Sequence, residues 1–322
     1  MNFGNVLLIL LAARIGFKSI SKYILRPRKL KMELVKYTNT DMVKIVDLPD
    51  ELYEDNDLDI SKNEVYQKTY DEFGKVIEMT IPREDLDNYY HNFKTIKETK
   101  TSTQHMLTHL SRGQLVGGTY DLKDNLIDLE TSKLAGLMNS RGHELLHAAS
   151  TRIDSKTGII YSGLSQMIIN EKDPKKNEAY GVGINEGVTQ YFANKFFNKN
   201  HEFIAAYRVY EEEQAIARAL EKIVGEETLR HLYFTADLKG LVDILEKYAS
   251  REDIYKFINY TDVLLFYSRD KKLKFEELDK VKEFINLFLI KVYDKVMIEK
   301  GLEFTVEGSW GLDNYCLPYR TR

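Results

Sequence analysis

The chain has 322 residues, with 46 Lys and Arg against 50 Asp and Glu, and a formal charge of −4. That near-neutral balance, with 43% apolar residues, excludes wholesale disorder and a general electrostatic footprint for nucleic acid, so no nucleic-acid partner is expected. A single cysteine, Cys316, excludes an intramolecular disulfide framework and a cysteine-rich zinc module.

Residues 1–30 carry the most apolar run of the chain, positions 6–13, followed by Arg14 and then by Lys18, Lys22, Arg26, Arg28 and Lys29. The run is shorter than the roughly 20 residues a spanning helix needs. No Lys or Arg precedes it, as a secretory signal would want. Three readings stay open: a helix docked on the protein's own core, a membrane-surface contact through residues 3–31 with the basic side chains at the headgroups, and a cleaved signal. The expected location is the cytoplasm, with membrane association through this segment as its variant. Pro27 is expected to end the helix.

Residues 31–130 read as a mixed α/β region. Positions 34–48 alternate enough for a strand or two, and 47–59 form an acidic loop. Positions 64–81 read as two short strands around a Phe73-Gly74-Lys75 turn, and 83–99 as a helix. Positions 114–129 read as a hairpin around the turn Asp121-Leu122-Lys123-Asp124-Asn125. Residues 131–200 hold two helices. One is capped by Thr131 or Ser132 and runs to about Ala149, and the other runs from near Ile184 through Phe197. Between them lie loops and one short strand at 159–161. Residues 201–300 are helical in pattern, with breaks near Gly225, at 237–240 and near Ser250, and 301–322 form a tail. The expected fold class is α+β.

The feature that carries chemistry is His143-Glu144-Leu145-Leu146-His147. Two histidines four apart on a helix lie about 40° apart around its axis, so both imidazoles leave one face. That face suits two ligands of a tetrahedral zinc. Glu144 can then reach a water at the metal without binding the metal itself. A catalytic zinc needs a third protein ligand and an open position. Downstream stands Asn185-Glu186-Gly187.

Together these two segments resemble the gluzincin group of zinc metallopeptidases, whose third ligand is a glutamate on a second helix. The resemblance covers roughly residues 114–197. It implies a zincin-like fold: a mixed N-terminal sheet lobe, an active-site helix and an α-helical C-terminal subdomain. It implies one Zn2+ held by His143, His147 and Glu186, with Glu144 as general base, and hydrolysis of a peptide or protein substrate. In zincins an edge strand above the active helix pairs with an extended substrate, and the 114–129 hairpin holds the matching place in chain order. Glu186 follows His147 by 39 positions, about twice the gap of the best-known members, which reads as an insertion between the helices. No Gly-Ala-Met-Glu-Asn segment is present, so aminopeptidase activity is not implied.

Other groups are candidates for support. Gln190 shares the Glu186 face and can orient a ligand, and Asn185 can bond nearby backbone. Tyr161, Tyr180 and His231 are candidates to stabilise an oxyanion. Glu178 is a rival third ligand, and the His105/His109 pair lacks an intervening glutamate and reads as structural. Two other functions stay open: a zincin-fold protein that binds a partner or peptide without cleaving it, and a zinc hydrolase of a non-peptide amide. Oligomeric state is not encoded in these signals.

Overall fold

The structure is a computed structural model that describes residues 45–49, 59–101, 118–130, 140–168, 178–197, 210–270 and 275–301. The expectations for residues 1–44, for His105 and His109 and for the tail beyond 301 lie outside the described residues. Residues 45–48, expected to belong to a strand, are not in one.

Positions 64–81 are helical, not stranded. Helix α1 (Glu64–Thr69) passes through one π turn (Tyr70–Gly74) into α2 (Lys75–Thr80). Asn63 starts α1 by accepting the N–H groups of Val65 and Tyr66 on its side chain. The expected 83–99 helix is three pieces: a 3-10 turn (Arg83–Asp85), α3 (Asp87–Phe93) and strand β1 (Lys97–Thr101). The break falls where the N–H groups of Thr95 and Ile96 both turn back to the Asn92 carbonyl.

The expected hairpin forms as β2 (Gly118–Asp121) and β3 (Leu126–Glu130), antiparallel with Tyr120 opposite Ile127. β1 joins β3 in parallel, so among the described residues the order β1-β3-β2 leaves β2 at an edge. Helix α4 (Ser140–Ala149) lies against that edge strand. The first turn of α4 is anchored by Arg141, whose Nε and one terminal nitrogen donate to Glu98 Oε2 at 2.8 and 2.6 Å.

Between α4 and the next helix the chain builds a second sheet where mostly loop was expected. Its strands β4 (Thr151–Ile153), β5 (Ile159–Ser162), β6 (Ser165–Ile168) and β7 (Glu178–Tyr180) are antiparallel and in sequential order. Helix α5 (Val182–Phe197) follows. Then come α6 (Glu211–Val224), α7 (Glu226–Phe234), α8 (Leu238–Leu245), α9 (Arg251–Asp270) and α10 (Phe275–Glu299). The breaks fall at Gly225, at Asp237, which caps α8 on Gly240 N–H, and at Ser250.

One core joins these pieces, from Ile77, Tyr89 and Phe93 through Leu145 and Leu146 to Phe192, Tyr233 and Phe234, and on to Phe257 and Phe288. The fold is therefore α+β. Helix α5 sits at its centre because two glycines let neighbours approach its backbone. A Cβ at Gly183 would lie 2.2 Å from the Thr261 carbonyl oxygen of α9, and one at Gly187 2.3 Å from the Glu213 carbonyl oxygen of α6. Asp262 fixes the start of α5: its buried carboxylate accepts the N–H groups of Gly181 and Gly183 at 2.9 and 2.7 Å.

No helix among the described residues is long and apolar enough to cross a membrane. This corrects the placement in the cytoplasm with membrane association through residues 3–31: the chemistry of that segment was its whole basis, and the described structure gives it nothing to rest on.

Candidate metal centre

Helix α4 presents His143 and His147 from one face, and α5 brings Glu186 across to them. Nε2 of His143 and Nε2 of His147 are 3.0 Å apart. Glu186 turns one oxygen to each imidazole, at 3.3 Å from His143 and 3.5 Å from His147. Among the described residues this is a cluster that could hold a metal ion, with one donor atom from each residue within a mutual 4.8 Å. Two ligands bound at 2.0–2.1 Å to a tetrahedral centre stand about 3.3 Å apart, close to the distance between the two imidazole nitrogens and to that from each imidazole to its nearer Glu186 oxygen. The two imidazoles and one carboxylate are a borderline-soft nitrogen and oxygen set that suits zinc among other divalent ions. Both histidines are buried, while the Glu186 side chain keeps 21% of its exposure.

The imidazoles are held from behind. Nδ1 of His143 lies 3.1 Å from Gln190 Oε1, so a proton on Nδ1 leaves Nε2 with its lone pair toward the cluster. Gln190 in turn donates to Asn194 Oδ1 at 3.1 Å, and Asn194 donates to Gln214 Oε1 at 2.9 Å. Nδ1 of His147 faces Asn185 Nδ2 at 3.4 Å, and Asn185 Oδ1 accepts the Leu164 N–H at 3.1 Å. Leu164 is at the tip of the β5–β6 hairpin, so the inserted sheet reaches the centre through Asn185.

Glu144 is buried beside the cluster but is not one of the three donors. Its carboxylate accepts the backbone N–H of Tyr120 on edge strand β2, and a Cβ at Gly118 would lie 2.9 Å from its Cγ. Burial raises its pKa to about 7; the charge of Glu186 adds to this, and the charge of His143 and the Tyr120 N–H oppose it. Burial disfavours the charged imidazole of His147 and lowers it to about 4. Burial acts the same way on His143, but its hydrogen bond to Glu186 and the charge of Glu144 outweigh it and raise that pKa. Partial burial works against the charge of Glu186, yet its hydrogen bond to His143 and the neighbouring imidazoles hold it well below the usual carboxylate range. Without a metal, a proton at the centre therefore favours His143 over His147, facing an ionised Glu186.

The proposed oxyanion groups have their hydrogen-bond partners elsewhere. The Tyr161 hydroxyl donates to the Asp47 carbonyl at 3.3 Å, and the Tyr180 hydroxyl to Glu178 at 2.6 Å. His231, 56% exposed at its side chain, pairs with Asp85 at 2.7 Å. Glu178, the rival third ligand, is exposed on β7. Sequence reasoning missed two other tyrosines. Tyr233 is fully buried, with its hydroxyl 2.8 Å from Thr189 Oγ1, which donates in turn to the Asn185 carbonyl. Tyr210 stacks on His143 and donates its hydroxyl to Glu186. With 21 tyrosines in the chain, no local pattern marked either.

Compared with protein-family models, with curated proteins and with solved structures, the chain matches none.

Proposed function

We propose that the protein is a zinc-dependent metallopeptidase of the gluzincin type with a zincin-like fold. The observation that carries this reading is the meeting of His143, His147 and Glu186 donor atoms at 3.0–3.5 Å from two helices, with Glu144 beside them and outside the donor set. A zinc ion, when bound, supplies Lewis acidity and activates water near neutral pH. The chain's own residues do the rest. Glu144 is a base whose proton affinity burial has already brought to about 7, suited to taking a proton from water and returning it to a leaving amine. Edge strand β2 carries the backbone that binds Glu144, and among the described residues it pairs with β3 on one side only, the arrangement an extended peptide could join.

The test is metal analysis of the full chain beside three variants. Wild type should hold one zinc per chain, His143→Ala and Glu186→Ala should lose it, and Glu144→Gln should keep it. A broad peptide library, with and without chelator, should be cleaved by wild type and not by Glu144→Gln. A chain that holds no divalent metal, or a Glu144→Gln variant with full turnover, ends this reading. Zinc without chelator-sensitive cleavage leaves the binding protein or the non-peptide hydrolase in its place.

A further inference from the structure

Tyr210 meets two of the three donors at once. Its ring lies parallel to the His143 imidazole within 5°, with centroids 5.6 Å apart, an offset stack. Its hydroxyl donates to the Glu186 carboxylate. His143 and Glu186 come from different helices, so one side chain clamps α4 to α5 at the point where they share a ligand site.

The backbone under this side chain is unusual. Tyr210 has φ 55 and ψ 37, the left-handed region that a bulky side chain avoids. Such a conformation persists where the surroundings over-determine it, and it gathers at sites where geometry matters. Here the surroundings are specific. The Tyr210 carbonyl accepts the Gln214 N–H at 2.7 Å, which opens α6. Glu212 pairs with Lys282 of α10, whose side chain is 2% exposed. The next residue, Glu213, is buried with its carbonyl against Gly187. The first turn of α6 is thus pinned from both sides, and Tyr210 is aimed from it.

We propose that Tyr210 is a positioning residue of the metal centre, its ring fixing the plane of His143 and its hydroxyl fixing the rotamer of Glu186. This rests on the reading of the cluster as a metal site. It makes the centre depend on α6 and α10, elements that supply no ligand themselves.

The experiment measures Zn2+ affinity by competition with a chromophoric chelator, and the visible spectrum of the Co2+ form, on the full-length chain. Tyr210→Phe keeps the stack and removes the hydroxyl; Tyr210→Leu removes both. The expected result is a loss of about tenfold or more in zinc affinity for Tyr210→Phe, a further loss for Tyr210→Leu, and a shifted Co2+ spectrum in both. Tyr89→Phe is the control, because that buried tyrosine turns its hydroxyl to Glu78; it should bind zinc as wild type does. Tyr210 variants within twofold of wild type, with an unchanged Co2+ spectrum, overturn the proposal while leaving the metal site standing. An equal loss in Tyr89→Phe overturns it too, since the effect would then follow general packing. A wild-type chain that binds neither ion overturns both the proposal and the metal reading beneath it.

Discussion

Nδ2 of Asn185 stands 3.4 Å from Nδ1 of His147 while the oxygen of the same carboxamide accepts the Leu164 N–H. For His147 to offer Nε2 to a metal, its proton must sit on Nδ1, and that N–H then needs an acceptor. The Asn185 oxygen has to serve both donors, and a carboxylate at the same place can serve one with each oxygen. Asn185→Asp should therefore bind zinc at least as tightly as wild type, and Asn185→Leu should bind about tenfold to a hundredfold more weakly. Equal affinities for the Asp and Leu variants would show that Asn185 does not orient His147.

The hairpin tip that supplies Leu164 is a packing constraint with a measurable cost. Gly163 has φ +50, and a Cβ there would lie 2.1 Å from Asn185 Oδ1 and 2.7 Å from the Tyr233 ring. Gly158 has φ +72 with nothing within 4 Å of such a Cβ. Gly158→Ala should cost about 1 kcal/mol for the backbone alone. Gly163→Ala adds overpacking and should cost about 2 kcal/mol or more, read from urea unfolding midpoints. It should also weaken zinc binding, which Gly158→Ala should not. Matching losses of stability in the two variants would remove the claim that the tip is wedged against Asn185.

What was legible in the sequence follows physical range. His143 and His147 stand out because residues four apart on a helix share a face, with Glu144 between them; Glu186 stands out only through the resemblance carried by Asn185-Glu186-Gly187, and the hairpin because its Asp/Asn turn is local. Two short strands are expected at 64–81 because the stretches on either side of Phe73-Gly74-Lys75 alternate and that tripeptide resembles a turn. A longer period was there: Val65, Thr69, Phe73 and Ile77 recur every four residues and are all buried, after an N-capping Asn63. The inserted sheet was hidden because its strands are three or four residues long. Tyr210 had no local signal at all. Its role exists only once α6 packs on α5.

Gln190 is the partner of His143, and it hands its own amide hydrogen on to Asn194. Gln190→Ala removes the acceptor for Nδ1 and should weaken zinc binding by about tenfold to a hundredfold. Gln190→Glu keeps an acceptor and makes it a stronger one, so its zinc affinity should match or exceed that of wild type. Chelator competition separates the two. A Glu variant as weak as the Ala variant would mean that the Gln190–Asn194 bond, not the contact with His143, is what matters.

Proton competition gives the last prediction, and its sign follows from the two histidines. The pKa of His143 is raised above 6.5, chiefly by its hydrogen bond to Glu186 acting against burial, while burial lowers that of His147 to about 4. Between pH 5 and 6 the metal-free centre therefore carries a proton on His143 and none on His147. Zinc must displace that proton, so affinity falls as pH falls, about tenfold per unit for each proton displaced. Glu144, raised to about 7, holds a second proton in that range, which a cation nearby would drive off. In Glu144→Gln this second proton is absent and the centre is otherwise as in the protonated wild type. The logarithm of zinc affinity should then rise by about one per pH unit in the variant and more steeply in wild type. A slope of two in the variant would put a proton on His147 as well. A slope of zero would mean that Glu186 does not hold His143 charged, and the ion pair at the heart of the centre would have to be redrawn.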